Sequence, residues 1–221
     1  MKRWRWVLAV SVPSAFAVLG YFVNIIGPIS LILVVLGLCA LVVVSVTLVV
    51  MLALRAAKLQ KRPVSAAALQ IPAFAVLCGA LGLAAGVFGG PAALPSAKTS
   101  VSRELTYIYS TDQGDRFTLR WLRPERDAVR LSRVLELHEQ GLITSPVDQL
   151  NAAMVLQHGN DSTHYRLAHE LAKAAFDGWV ATPGRSKQEA EWLMKATYDR
   201  WMLSIGKPQV YGTQKEFYTR F

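Results

Sequence analysis

Acidic residues are missing from the first 103 positions of this chain, and ionisable residues of every kind are missing from two long stretches within them. No Lys, Arg, Asp, Glu or His lies between Trp6 and Leu54 or between Pro63 and Ala97. Acid–base catalysis by side chains and metal binding by carboxylates or imidazoles are therefore excluded from both stretches. All 15 acidic residues and all four histidines lie from Glu104 onward, so ionisable chemistry belongs to the C-terminal part.

Recognisable catalytic motifs are also lacking. There is no Gly-rich phosphate loop, Ser nucleophile elbow, Cys–His pair or His-Glu-x-x-His motif. The only two cysteines, Cys39 and Cys78, fall in apolar segments, where they are interpreted as packing residues. His164 and His169 are five residues apart and would point about 140° apart on a helix, which disfavours a shared metal ion. We expect no metal and no cofactor, and we favour a non-enzymatic role over an enzyme.

The net charge of +9 is unevenly distributed. Of the 24 Lys and Arg residues, seven flank the apolar stretches, which leaves 17 basic and 15 acidic residues in positions 91 to 221. Because the charges in this part are interleaved and form no basic stripe, nucleic acid is not an expected partner. The basic residues instead indicate membrane topology.

Three apolar segments, at about 6–26, 29–54 and 68–90, are each long enough to cross a bilayer as a helix. Residues 1–97 are therefore predicted to be a membrane anchor. Basic residues at the N-terminus and in the loop after the second segment both favour the cytoplasm. The third crossing then places the C-terminal domain outside. The lipid bilayer is thus an expected partner, and another membrane or envelope protein is a further candidate.

Gly82, Gly86 and Gly90 recur every four residues on the third predicted span. Glycines at this spacing let a second helix approach closely. We favour packing against the other two spans, and the alternative is a homo-oligomer contact through the third span.

Residues 98–221 are predicted to form a small soluble all-α domain of helical hairpins. Segment 102–122 alternates apolar residues like a β-hairpin around the sequence DQGD but also fits a helix, so both structures stay open. Four later helices have clear start and stop signals, including Ser145 before Pro146, Asp161 or Ser162, and a capping box of Ser186 and Glu189. In the first of the four, the predicted inward stripe is Ala128, Leu131, Leu135 and His138.

His158 is the main candidate for chemistry, because the stripe of its helix points it inward. We favour a core histidine that hydrogen-bonds a carbonyl or carboxylate, and the alternative is a general base. Asp112 and Asp115 are interpreted as turn residues of DQGD. Asp199 and Arg200 are interpreted as a local ion pair.

Three stretches, DQGDR (112–116), NAAMVLQHGNDSTHYRLAHELAKAA (151–175) and EWLMKATYDRWMLSIGKPQVYGTQ (191–214), carry a resemblance. In this order they resemble an uncharacterised bacterial domain-of-unknown-function family with an Asp-Gln element, a Gln-His helix end and a closing Gly-x-Pro-Gln-x-Tyr-Gly-Thr-Gln. The resemblance implies a bacterial source, and with the apolar segments a place in the cytoplasmic membrane. It marks these positions, whose role is unknown: Asp112, Gln113, Arg116, Gln157, His158, Asp199, Arg200, Gln209, Tyr211, Gly212 and Gln214.

The expected function is a multi-pass membrane protein that presents a helical interaction or ligand-binding domain. The alternative is a membrane-tethered, hydrolase-like enzyme in which His158 acts as base. Gly206 should end the last helix and Pro208 should prevent its resumption. The residues up to Gln214 are then predicted to dock near the helix end that carries Gln157 and His158.

Overall fold

The computed structural model of the chain describes residues 76–214 apart from 78 and 85, together with scattered positions between 35 and 56. The described positions in 35–56 and in 76–88 are all helical. The first predicted span lies outside the described residues, and the second and third lie only partly inside them. Within the described part, no helix is both long and apolar enough to cross a membrane. The three-span arrangement therefore stays a prediction.

All regular secondary structure in residues 101–204 is helical. This part contains α1 (Val101–Arg116), a short 3₁₀ helix (Leu119–Leu122), α2 (Pro124–Glu139), α3 (Pro146–Leu156), α4 (Ser162–Asp177) and α5 (Lys187–Ser204). No β-strand occurs at the positions that the structure describes, so the all-α prediction is confirmed there. The chain divides into two compact units, 1–91 with 114–122, and 92–113 with 123–221.

The helices of the second unit begin where side-chain caps are available. Ser145, Asp161 and Ser186 each accept a hydrogen bond from the backbone N–H three residues later, which satisfies a donor that the first turn of a helix leaves unpaired. α5 ends at Ser204, and Gly206 follows in the left-handed region with φ 75°. The predicted helix starts and the predicted stop are confirmed.

The core of this unit is centred on α3. α3 is buried on nearly every side, from Leu150 to Leu156. Alanines at its contacts with α4 and α5, including Ala152, Ala168 and Ala190, are fully buried and let the helix backbones approach closely. Leu105 and Ile108 of α1 complete the same cluster. Each end of α3 is thereby fixed within a close-packed core.

Segment 102–122, for which a β-hairpin and a helix both stayed open, is helical, since α1 runs to Arg116 and the 3₁₀ helix covers Leu119–Leu122. Two expectations about local structure are wrong. Asp112 and Asp115 are not turn residues, because the sequence DQGD lies within α1. The buried face of α2 is also different from the predicted stripe, because Ala128 and His138 are exposed. The buried residues of α2 are Arg126, Arg130, Val134 and Leu137.

Gly90 does not continue the glycine stripe of the third predicted span. The helix that contains Gly82 and Gly86, both buried, ends at Phe88. Gly90 adopts φ 91°, a conformation that residues with a Cβ rarely adopt. A Cβ at this position would lie 2.5 Å from Nη1 of Arg120. Gly90 therefore serves a turn and a close contact instead of helix packing.

Candidate functional site

His158 and Asp112 form a close pair across 46 residues of sequence. His158 lies just beyond the end of α3, and Asp112 lies in the penultimate turn of α1. Nδ1 of His158 is 2.9 Å from Oδ2 and 3.2 Å from Oδ1 of Asp112. The Asp112 side chain is only 1% exposed, whereas the His158 side chain is 22% exposed. The imidazole is thus held by a buried carboxylate and still reaches solvent.

Asp112 is supported by charged and polar neighbours from two helices. Nε2 of Gln113 donates to Oδ2 of Asp112 at 2.9 Å, and Nε of Arg130 lies 3.8 Å from Oδ1. Arg130 also binds Asp127 through Nη2 at 2.6 Å. A buried carboxylate is costly unless it is paired with a cation and hydrogen-bonded. This requirement explains why α2 turns Arg130 inward, against the predicted stripe.

A cleft of about 200 Å³ opens beside the pair. Its polar lining residues are Asp112, Asp127, His158 and Asn160, and its apolar ones include Leu131 and Val155. Pockets for drug-sized ligands are larger, roughly 300–1,000 Å³. The cleft therefore fits a small polar molecule. Its full lining is Asp112, Pro124, Asp127, Ala128, Leu131, Val155, His158, Gly159 and Asn160.

The pair has a defined chemical capacity. When Asp112 accepts the Nδ1–H hydrogen bond, the imidazole is fixed in the tautomer whose Nε2 is a hydrogen-bond acceptor or a base. The residues that line the cleft include no Ser, Thr or Cys, so the nucleophile of a hydrolytic reaction would be water or one of the carboxylate and imidazole groups of the cleft. Within the described positions, no group of three or more His, Cys, Asp or Glu is arranged to hold a metal ion.

The C-terminal strip, residues 207–214, is bound by Asp199 of α5. The Asp199 carboxylate accepts hydrogen bonds from the backbone N–H groups of Val210 (2.7 Å), Tyr211 (2.9 Å) and Thr213 (2.9 Å), and from the Thr213 hydroxyl (2.8 Å). Burial raises the pKa of Asp199, but these hydrogen bonds outweigh burial and hold the pKa below its ordinary value. The strip is therefore bound to a buried carboxylate.

Arg200 joins the strip to the end of α3. Its Nη1 donates to the carbonyl of Gln157 at 2.6 Å, and its Nε donates to Oε1 of Gln214 at 3.2 Å. Nε2 of Gln214 also donates to the carbonyl of Ala196. The Gln209 side chain donates through Nε2 to the backbone carbonyl of Gln214 and accepts through Oε1 from the backbone N–H of Gln214. The predicted docking near Gln157 is confirmed, with Arg200 as the connecting side chain. No strip residue lines the cleft.

The structure divides the predicted positions into two groups. Asp112 and His158 meet at the cleft, with Gln113 bonded to Asp112. The other group comprises the strip residues Gln209, Tyr211, Gly212 and Gln214 and the residues that hold the strip, Gln157, Asp199 and Arg200. The Asp199 carboxylate binds backbone N–H groups of the strip, and the Arg200 guanidinium binds the carbonyl of Gln157. Their local ion pair stays a prediction. Gly212 adopts φ 67°, and the Tyr211 ring packs edge-on against Tyr198 with centroids 5.8 Å apart.

The remaining marked or candidate residues have other surroundings. Arg116 ends α1 and belongs to the other unit. Nδ1 of His164 lies 3.2 Å from Oδ2 of Asp161, and Nδ1 of His169 lies 3.0 Å from the carbonyl oxygen of Met194, so neither histidine belongs to the cleft. His138 is exposed.

Asp127 and Arg130 were missed from the sequence. The four buried residues of α2 have the spacing of one helix face: Arg126, Arg130, Val134 and Leu137. A search for apolar residues at helical spacing does not find this face, because arginine is expected on the solvent-exposed side.

Comparison with family models, with curated proteins and with solved structures found no match for the chain. Membership of the uncharacterised bacterial family therefore stays a prediction, which rests on the three sequence stretches quoted above.

Proposed function

We propose that the chain is a multi-pass protein of a bacterial cytoplasmic membrane that presents a helical ligand-binding domain on the outer side. Three uncharged apolar segments support the anchor. The described helical positions between 35 and 56 add support. An α-helix turns about 100° per residue, so the exposed apolar side chains at these positions cover about 140° of the helix surface. These side chains are Val35, Val42, Val43, Val46, Val49, Val50 and Leu54. Monomeric proteins in water rarely expose so continuous an apolar surface.

The sidedness has a direct test. Reporter domains fused after Phe221 should be active when the reporter requires export and inactive when it requires the cytoplasm. The same reporters fused in the loop near Lys61 should give the opposite result. A cytoplasmic reporter signal after Phe221 would contradict the arrangement of three crossings.

The ligand-binding role rests on one observation, the pairing of a partly exposed His158 with a buried Asp112 at the wall of a cleft. A histidine that serves only packing needs no open cleft beside it. The lining combines charged and polar side chains with apolar ones, which is the usual composition of a small-molecule site. We assign the cleft to a small polar ligand that donates a hydrogen bond to Nε2 of His158. Membership of the domain in the uncharacterised bacterial family is proposed from the three sequence stretches at 112–116, 151–175 and 191–214.

The binding role predicts a specific effect of His158→Ala. Thermal unfolding of the full chain in lipid nanodiscs would be measured with panels of small amines, carboxylates, amides and phosphate esters. At least one class should raise the unfolding temperature of the wild type, because a ligand that binds the folded state stabilises it. The increase should disappear in His158→Ala and persist in His138→Ala, which removes an exposed imidazole. If every ligand that stabilises the wild type also stabilises His158→Ala, the cleft is not the binding site.

A second candidate function is hydrolysis, and the contact of Nδ1 with Asp112 is the observation that favours it. This contact orients an imidazole as in enzymes that use a carboxylate to fix a general base. Small chromogenic carboxylic and phosphoric esters would be supplied to the full chain. If the base is used, His158→Gln should lower the rate by about 10²–10⁴-fold, the usual contribution of general base catalysis. An unchanged rate in His158→Gln would remove this candidate.

A further inference from the structure

Three large apolar side chains project from the segment that follows α1. Phe117, Trp121 and Leu122 are 80%, 57% and 47% exposed. We call them the apolar ridge. They occur within six consecutive residues, in the part of the chain, 114–122, that groups with the N-terminal unit. An exposed cluster of Phe, Trp and Leu is unusual on a surface that faces only water.

The ridge stands on a buried polar base. Between its members, Thr118, Leu119 and Arg120 are each buried. Nε of Arg120 binds Oδ1 of Asp115 at 2.6 Å, with both side chains at most 2% exposed. The Thr118 hydroxyl bonds the carbonyls of Gly114 and Asp115, and it accepts from the backbone N–H of Arg120. The outward direction of the ridge therefore follows from a well-defined local structure.

The base of the ridge contacts the end of the third predicted span. Nη1 of Arg120 donates to the carbonyl of Gly89 at 3.3 Å. Gly90 packs so closely under the same guanidinium that a Cβ would lie 2.5 Å from Nη1. Gly89 and Gly90 directly follow Phe88, where the described helix ends and which is itself 62% exposed. The contact thus attaches the ridge to the point where the chain would leave the hydrocarbon core.

We propose that the apolar ridge inserts into the boundary between the headgroups and acyl chains of the bilayer in which the chain is anchored. This inference rests on the proposed membrane anchor. Trp favours this layer, where its apolar ring meets hydrocarbon and its N–H meets water, and Phe and Leu bury apolar side chains at the same boundary. The only acidic side chain in residues 114–122, Asp115, is buried against Arg120, so this segment presents no exposed carboxylate to the lipid headgroups. The occupant of the surface is therefore lipid.

The test compares two tryptophans that are almost equally exposed, Trp121 at 57% and Trp192 of α5 at 55%. The full chain would be reconstituted into phosphatidylcholine vesicles with and without bromine atoms on the acyl chains, since bromine quenches nearby indole fluorescence. Trp121→Phe should reduce the part of the emission that bromolipid quenches. Trp192→Phe should leave that part unchanged and instead reduce the part that aqueous iodide quenches.

Vesicle flotation of the same samples separates the two proposals. If the chain floats with the vesicles but Trp121→Phe leaves bromolipid quenching unchanged, the ridge proposal is wrong and the anchor stands. If the chain does not float, both are wrong. If Trp121 is reached by neither bromolipid nor iodide and the chain is dimeric, a second copy covers the ridge and the lipid assignment is overturned. Trp→Phe keeps an aromatic ring, so both variants are expected to fold. Thermal unfolding curves that match the wild type would show that folding is intact.

Discussion

Replacing Arg120 by methionine is expected to lower the free energy of unfolding by about 3–5 kcal/mol, the usual cost of removing one partner of a buried ion pair. The methionine keeps most of the apolar volume of the arginine stem but leaves the Asp115 carboxylate, 1% exposed, without this cation. It also removes the donor to the carbonyl of Gly89. Chemical unfolding of the detergent-solubilised chain, followed by circular dichroism, would measure the loss.

A surface pair and a double variant make this prediction sharp. Arg123→Met breaks the pair with Glu125, whose side chain is 60% exposed, and should leave stability nearly unchanged, because solvent screens exposed ion pairs. Replacing both partners, Arg120→Met with Asp115→Leu, should recover most of the loss, because no uncompensated buried charge remains. A single Arg120→Met variant as stable as Arg123→Met would show that the buried pair does not stabilise the segment.

Asp199→Asn is expected to release the C-terminal strip and to lower the free energy of unfolding by about 2–4 kcal/mol. Hydrogen bonds to a charged group contribute roughly 1.5–3 kcal/mol each, but the released strip regains water as a partner, so their sum is not lost. The amide oxygen of Asn can still accept, whereas its NH₂ group would face the N–H of Thr213. Limited proteolysis should then cut within residues 207–214, which should be protected in the wild type.

Acid should abolish this difference in stability. The Asp199 pKa is held below its ordinary value of 3.8, so the carboxylate stabilises the folded state fully above that value. As the pH falls through the lowered pKa, Asp199 gains a proton and the wild type approaches Asp199→Asn. Asp177→Asn is the matched control, because Asp177 pairs with Lys173 on an exposed surface and should change stability by less than about 1 kcal/mol. Equal protection of the strip in Asp199→Asn and Asp177→Asn would contradict the role of Asp199.

The helices of the C-terminal domain could be predicted well where their ends depend on local chemistry. Ser145, Asp161 and Ser186 act within three residues, and Gly206 acts through its own backbone conformation. Such signals are complete within one turn of sequence. α1 was ambiguous because alternating apolar residues fit two periodicities, and only the burial of Leu105 and Ile108 against the rest of the core selects the helix.

The site was predictable only in part, because its geometry depends on contacts between distant residues. His158 was identified as inward-facing, yet the identity of its partner depends on α1 reaching Asp112 as a helix. The inward direction of Arg130 on α2 follows from that buried carboxylate. Because DQGD was interpreted as a turn, neither the partner of His158 nor the inward Arg130 was predicted. The apolar ridge escaped prediction for the same reason, since Phe117 and Trp121 fitted one strand of the rejected hairpin.

The attachment of the strip to Asp199 has a consequence for which substitutions the chain tolerates. Three of the four donors to this carboxylate are main-chain N–H groups, so Asp199 recognises backbone shape and is indifferent to most side chains. At Val210, which is 64% exposed, almost any residue should serve except proline, which lacks the N–H. Thr213 should accept serine, and Gly212 should accept little else because of its positive φ. Variation along the strip should therefore follow backbone geometry more closely than hydrophobicity or charge.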